Sequence, residues 1–523
     1  MRLRGPTSVS RPAQDRPRKS WHSKFALLAA ALLATILSGC AVPLGPGFRL
    51  RSRQVVLGNA PGPSAPVHIR VSEQIENTGN RALSYLDVSL PAATDPAKSH
   101  LAIRVDGKPV TPKAISQDPT APIRVGFDPP WPMRQRREIV VEYDLATDPI
   151  SGGVASATAE GFYLADPDAL PLWVTPVGFF VRGEVLTREE RFEVTLPADF
   201  RVLASGRQER RRAADGNVFY RFRTSGKELP SFVIAGRYQE QITTTPGGSL
   251  VFWTFRSLDP AMAQMAAERL TATTAVFARL FGPPPAPGPL RIVETPPGVL
   301  SLDAEAPGRP AEAAAFPQGL LVGPRAFEQG IASEHVMRVA EAELVRIWFG
   351  WRVPLRPEVD TLLGRGLGLF AVALAAEARG GQPARRIEIA RLLEEYDRAH
   401  AAGDEGSLLR PARQSTPQQI AASALKAALF LADLDDLAGG DKFEQSIQRL
   451  QLGLAGRGLA VSLDDLRSSL EISAGTPMAD VFRQWLNHPG VPDGFRERYA
   501  SASPSAAAPR KEIARIELFR RQR

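Results

Sequence analysis

Ala342-Glu343-Leu344-Val345-Arg346-Ile347-Trp348-Phe349-Gly350 is the stretch on which the reading of this chain turns. With Val336 and Ala340 upstream, Leu344, Ile347 and Trp348 recur at helical spacing and form one apolar stripe, so the spacing predicts an amphipathic helix ending near the glycine. Positions 342 and 346 are four apart and share a face of that helix, with Glu343 beside them. Two histidines at such positions, completed by a carboxylate from a second helix, hold a catalytic metal with a place left for water. Here the two positions carry an alanine, which has no lone pair, and an arginine, a fixed cation that repels a metal ion. Without a metal-activated water Glu343 has nothing of lowered pKa to deprotonate.

The stretch resembles the H-E-x-x-H…W-F-G helix of the aminopeptidase N and leukotriene hydrolase family, which are gluzincin zinc peptidases. Aligned on Trp348-Phe349-Gly350, the resemblance puts Ala342 and Arg346 at the two histidine ligands and Glu343 at the general base. The family's spacing to its third ligand, a glutamate, reaches Arg365. Ala313-Ala314-Ala315-Phe316-Pro317-Gln318-Gly319-Leu320-Leu321 is similar to the family's G-A-M-E-N-x-G-L-I strand, whose glutamate anchors the substrate amine; that position is Phe316. Ala424-Leu425-Lys426-Ala427-Ala428 is similar to the Y-x-K-G-A segment, whose tyrosine stabilises the oxyanion; that position is Ala424. Phe482-Arg483-Gln484-Trp485-Leu486 through Gly490-Val491-Pro492 resembles the end of the family's helical region. Zinc is the cofactor such a fold implies, and every residue that would hold it is missing, so no cofactor is expected. Arg346 and Arg365 are expected to fill the vacated space and pair with Glu343.

The N-terminus reads as a targeting segment. Arg16, Arg18, Lys19 and Lys24 precede an apolar run from Phe25 to Ile36, too short for a membrane span of about 20 apolar residues. Leu37-Ser38-Gly39-Cys40 then resembles the lipobox of bacterial lipoproteins, in which the cysteine is acylated and becomes the new N-terminus. Cys40 is the only cysteine, so no intramolecular disulfide is available. Several acyl chains on one residue give durable attachment. The expected place is the periplasmic face of a bacterial membrane, with Ala41 compatible with sorting to the outer membrane.

The chain divides by pattern into a signal peptide (1–40), a Pro/Gly-rich tether (41–66), an all-β domain (67–245), a degenerate gluzincin-like domain (246–380), a helical subdomain (381–495) and a basic tail (496–523). Val67–Val71 and Leu83–Leu90 alternate with period two on either side of Asn77-Thr78-Gly79-Asn80, which predicts a hairpin. Asp259-Pro260 carries the chemistry of a helix start before Ala261–Leu280, and Gly282-Pro283-Pro284-Pro285 ends it. The fold class is therefore an N-terminal β-sandwich or saddle, then a thermolysin-like α+β segment with a helical C-terminal part. With 44% hydrophobic and 23% charged residues, the composition is that of a globular chain. The net charge of +8 is widely spread apart from Arg207, Arg210, Arg211 and Arg212, placed before the turn signal Asp215-Gly216 and read as a solvated hairpin tip; no nucleic-acid partner is expected.

The functional expectation is a catalytically inactive peptidase-like lipoprotein that binds a peptide or an envelope protein, with an active envelope hydrolase using other ligands as the alternative. For the anchor, Cys40→Ser is expected to abolish incorporation of labelled palmitate and to leave the uncleaved precursor, read by autoradiography and mass.

Overall fold

The computed structural model describes residues 48–499 except 59–66, 91–99, 116–121, 146–153, 166–169, 171, 175–188, 215, 226–231, 287, 298, 301–312, 329, 411–414 and 456–459. The expected signal peptide (1–40) with Cys40 lies outside the described residues, as does the expected basic tail (496–523) from residue 500 on; residues 496–499 instead belong to a helix, Asp493–Tyr499.

Period-two patterning builds the N-terminal half into three open sheets. The largest is eight-stranded, in the order Arg207–Ala214, Asn217–Ser225, Glu189–Pro197, Phe48–Leu57, Val67–Asn77, Arg136–Leu145, Ala102–Val105, Lys108–Val110. Its inner face packs on two four-stranded sheets in a common core that includes Ile69, Val71, Val141, Phe192 and Tyr220 from the large sheet, and Leu86, Val125, Trp131, Trp173 and Leu164 from the smaller ones. This is the predicted sandwich.

One boundary moves. Residues 48–57, expected within a tether running to residue 66, form a strand in the middle of the largest sheet, antiparallel to Val67–Asn77 and parallel to Glu189–Pro197. A bulge between Leu50 and Ser52 switches the buried positions from Phe48 and Leu50 to Val55 and Leu57. That switch of parity is why simple alternation does not reveal the strand. Arg53, buried between them, donates from Nε to Glu73 at 2.7 Å, and the Trp173 indole donates to the other oxygen of Glu73.

The arginine cluster also differs from its expected place. Arg207, Arg210, Arg211 and Arg212 lie exposed along the strand at the edge of the large sheet rather than at a hairpin tip, and Arg211 stands over the Tyr220 ring. Charge on an edge strand discourages pairing with another chain.

A five-stranded mixed sheet follows, ordered Gln239–Thr245, Gly248–Thr254, Leu290–Glu294, Gly319–Val322, Ala313–Phe316. It begins at Gln239, before the expected boundary at 246. Helix α1 (Pro260–Phe281) starts on Asp259, whose side chain accepts from Ala261 N and Met262 N, and stops at Gly282, φ +85°. Helices α2 (Pro324–Glu328) and α3 (Glu334–Leu344) lead through a 3-10 turn, Val345–Ile347, to a π-helical turn, Asp360–Gly366. That turn runs straight into α4 (Leu367–Ala401), which kinks at Gly381, φ +70°. Helices α5 (Pro417–Ala438), α6 (Gly440–Leu454), α7 (Leu463–Ala474), α8 (Ala479–Asn487) and α9 (Asp493–Tyr499) complete the described chain.

Leu344 and Phe370 share one core with Ile389, Phe430 and Trp485. The expected division between residues 380 and 381 therefore marks the kink in α4 and not a boundary between cores. The segment from Asp360 to Ala401 is long and apolar enough to cross a membrane, yet 67% of its apolar window is buried in this core, as suits the central helix of a globular domain.

Leu57 tests the relocated boundary. It is 2% exposed, so Leu57→Ala is expected to cost about 2–5 kcal/mol in urea unfolding, where a tether residue would cost nothing.

Candidate functional site

The Trp348-Phe349-Gly350 stretch anchors the end of α3. Trp348 Nε1 donates to Gly282 O at 2.9 Å, and its ring meets Phe277 and Phe281, so the helix end is locked to the end of α1. Phe349 packs edge-on against Phe281. Gly350, at φ +129°, turns the chain, and Trp351 comes back to donate its indole N–H to Ala315 O at 2.9 Å. Ala315 belongs to the edge strand Ala313–Phe316, which is buried throughout.

The residues at the expected ligand positions are brought together, without ligand chemistry. Ala342 and Arg346 are 9% and 6% exposed, and Glu343 between them 7%. Arg365 arrives on the π-helical turn. Burial pushes the Glu343 carboxyl above the ordinary glutamate range; Arg346 and Arg365 attract its charged form and offset part of that rise, while Asp360 adds to it. Arg346 Nη1 stands 3.6 Å from Asp360 Oδ1. Arg346 thus pairs with Asp360, and both arginines act on Glu343 through their charge.

Glycines close this arrangement. A Cβ on Gly368 would lie 2.4 Å from Ala342 O, one on Gly366 2.4 Å from Ala427 Cβ, and one on Gly364 2.9 Å from Arg346 Nη1. Only glycine lets α4 and the turn before it approach α3 and α5 so closely. The donor set does not fit zinc: alanine has no lone pair, and neither arginine gives one up at any ordinary pH. Among the described residues no group of three or more His, Cys, Asp or Glu is placed to hold a metal ion. His335 lies exposed in the first turn of α3.

The other two expected positions are structural. Phe316, at the amine-anchor position, is fully buried against Phe232, whose ring also meets Trp351 edge-on, in an apolar cluster joining the β domain to the mixed sheet. Ala424, at the oxyanion position, is 4% exposed within α5. Its neighbour Lys426 donates from Nζ to Glu405 Oε1 at 2.6 Å and to His488 O at 2.7 Å, and Gly490 N donates to Glu405 Oε1 at 2.9 Å. The Lys426 segment and the Gly490-Val491-Pro492 segment, read separately in the sequence, are joined through Glu405. Lys426 holds Glu405 below the ordinary glutamate range against the opposing effect of burial.

Sequence reasoning missed Glu341. It is fully buried and accepts from Arg269 Nε and Nη2 at 3.0 and 2.8 Å, Thr273 Oγ1 at 2.6 Å and Arg379 Nη1 at 2.8 Å, tying α1, α3 and α4 together. The signal was available. Glu341 falls with Met337, Leu344 and Trp348 at helical spacing, and a carboxylate within an apolar stripe must be paired.

Glu343 generates a prediction with a definite sign. A carboxyl whose folded-state pKa is raised favours folding when protonated, and that contribution is lost as pH rises from the ordinary glutamate value, about 4.3, through its raised one. The stability of the wild type relative to Glu343→Gln is therefore expected to fall with rising pH across that window, measured by denaturant midpoints at several pH values.

No family model matches the chain, and no curated protein matches it in sequence. Solved structures do match it in fold. The M1 zinc metallopeptidase of Deinococcus radiodurans is similar with a TM-score of 0.55 at 17% identity, over 86% of this chain and 95% of that one. A variant of that peptidase bound to a Tyr-Ser-Ala substrate gives 0.56 at 19% identity, over 85% and 95%. Legionella pneumophila aminopeptidase A in complex with aspartic acid gives 0.59 at 14% identity, over 84% of this chain and 49% of that one. At such identities the likeness is one of fold: a β-rich N-terminal domain of open sheets followed by a helical C-terminal part, the two-domain M1 aminopeptidase fold.

Proposed function

We propose that the chain is a catalytically inactive M1-type pseudopeptidase, anchored by acylated Cys40 at the periplasmic face of the bacterial envelope, and that it binds a peptide or protein partner there. The observation that carries this reading is Arg346, buried beside Glu343 and Asp360 at a position that must donate a lone pair if a metal is to bind. Glu343 alone supplies neither a Lewis acid nor an activated water. The edge strand to which an extended peptide would add is buried and takes the Trp351 indole at Ala315 O, so the partner is sought on the exterior of the molecule.

The test is made on protein purified from membranes. A panel of aminoacyl and peptide substrates is expected to yield no product with or without added zinc, elemental analysis is expected to find zinc far below one per chain, and crosslinking in intact cells is expected to trap a defined envelope partner. Turnover that disappears in Glu343→Gln or on chelation would overturn the proposal in favour of a hydrolase with other ligands.

A further inference from the structure

The end of the large sheet at which the described chain begins carries exposed arginines on one strand and two turns. Phe48 is the first described residue and pairs with Asn77. Asn77, fully buried, organises that end: its Nδ2 donates to Arg81 O and Trp131 O at 3.0 Å each, its N–H donates to Gln135 O at 3.1 Å, and its carbonyl accepts from Arg134 N at 2.8 Å. Two turns are thereby held beside the entering strand. Arg81, in the turn after Asn77, is exposed. The second turn presents Met133, Arg134, Gln135 and Arg136, all exposed, with Met133 51% exposed and Arg134 held at φ +59°. Arg49 points out of the sheet beside them. Glu76 is the carboxylate in their midst and is engaged by Arg51, with Arg136 at 3.7 Å. Further along the strands Asp106 takes Arg137.

We infer that this end of the sheet, presenting Arg49, Arg81, Arg134, Arg136 and Met133, docks on a bilayer surface containing anionic phospholipid. The inference rests on the lipid-anchor reading of Cys40 and on chain length. Residues 41–47 are all that separate Cys40 from Phe48, and a chain of that length, fully extended, reaches at most about 29 Å. The strand at residues 48–57 thus shortens the expected tether until the end bearing Phe48 has to stay near the headgroups. Arginines without a carboxylate to match each of them complement anionic headgroups, and an exposed methionine at the tip of an arginine-bearing turn suits the boundary between headgroup and acyl chain.

Because Cys40 is the only cysteine and would be acylated, a single introduced cysteine gives a unique label. Full-length protein is reconstituted into phosphatidylcholine vesicles with or without phosphatidylglycerol, carrying a headgroup quencher. Fluorophores are placed at Ala82→Cys, exposed next to Arg81, or at Ala198→Cys, exposed at the opposite end of the large sheet. The protein is expected to float with both kinds of vesicle. Quenching is expected at position 82 in excess of position 198, only with phosphatidylglycerol, and to fade as salt rises. Each of Arg49→Gln, Arg81→Gln and Arg134→Gln is expected to shift the docked-to-undocked ratio about fivefold.

Flotation with both vesicles and equal quenching at the two positions overturns the docking surface and leaves the anchor standing. Flotation only with phosphatidylglycerol vesicles, with the same excess at position 82, keeps the surface and overturns the anchor. Flotation with neither overturns both. The salt series needs no arginine variant, so a misfolded substitution does not decide the outcome.

Discussion

The C-terminal half depends on how closely α4 and its leading π-helical turn approach α3 and α5. Gly364, Gly366 and Gly368 set that approach, each meeting an atom that a Cβ would strike: Arg346 Nη1, Ala427 Cβ and Ala342 O. The same approach brings Glu343, Arg346 and Asp360 together where the helices meet. Burial of the Arg346 guanidinium is tolerable because Glu343 and half-buried Asp360 lie beside it, and Arg365 adds its charge to that acting on Glu343. Packing and charge thus require one another.

Around that contact the domain is secured by polar ties between helices. Glu341 draws Arg269 and Arg379 onto α3, and Glu405 gathers Lys426, His400 and the backbone of Gly490. Each is a carboxylate whose hydrogen-bonding capacity is met by several donors, the condition under which a buried charge supports a structure instead of weakening it. The apolar cluster of Phe232, Phe316 and Trp351 acts in the same way between the β domain and the mixed sheet. Phe316 is thus part of a hydrophobic joint.

Much of this was legible in the sequence because local rules agreed with the global fold. The Asp259-Pro260 cap and the Gly282 stop bound α1 within a residue of the expected limits, and alternation marked Val67–Asn77 and Leu83–Ser89 as strands. The expected hairpin between them does not form: the first pairs in the eight-stranded sheet and the second in a four-stranded one, because alternation marks a strand and not its partner. The strand at Phe48 was not legible because a bulge reverses its parity midway. The place of Glu341 in the apolar stripe demanded a partner, but its partners Arg269, Thr273 and Arg379 lie far off in the chain and no local pattern names them. The link between Lys426 and Gly490 runs through Glu405, which no motif marks, so only the folded chain reveals it.

The quartet of Glu343, Arg346, Asp360 and Arg365 also bears on which substitutions the domain accepts. Replacing Arg346 alone by a neutral side chain would take a counterion from buried Glu343 and half-buried Asp360, and replacing Arg365 alone by a carboxylate would add a third acid beside them. Either step leaves charge uncompensated in a packed part of the domain. Single substitutions at these positions are therefore each costly, and only changes that keep the acids and guanidiniums in balance leave the fold undisturbed, so the four residues are constrained as a set and not one by one.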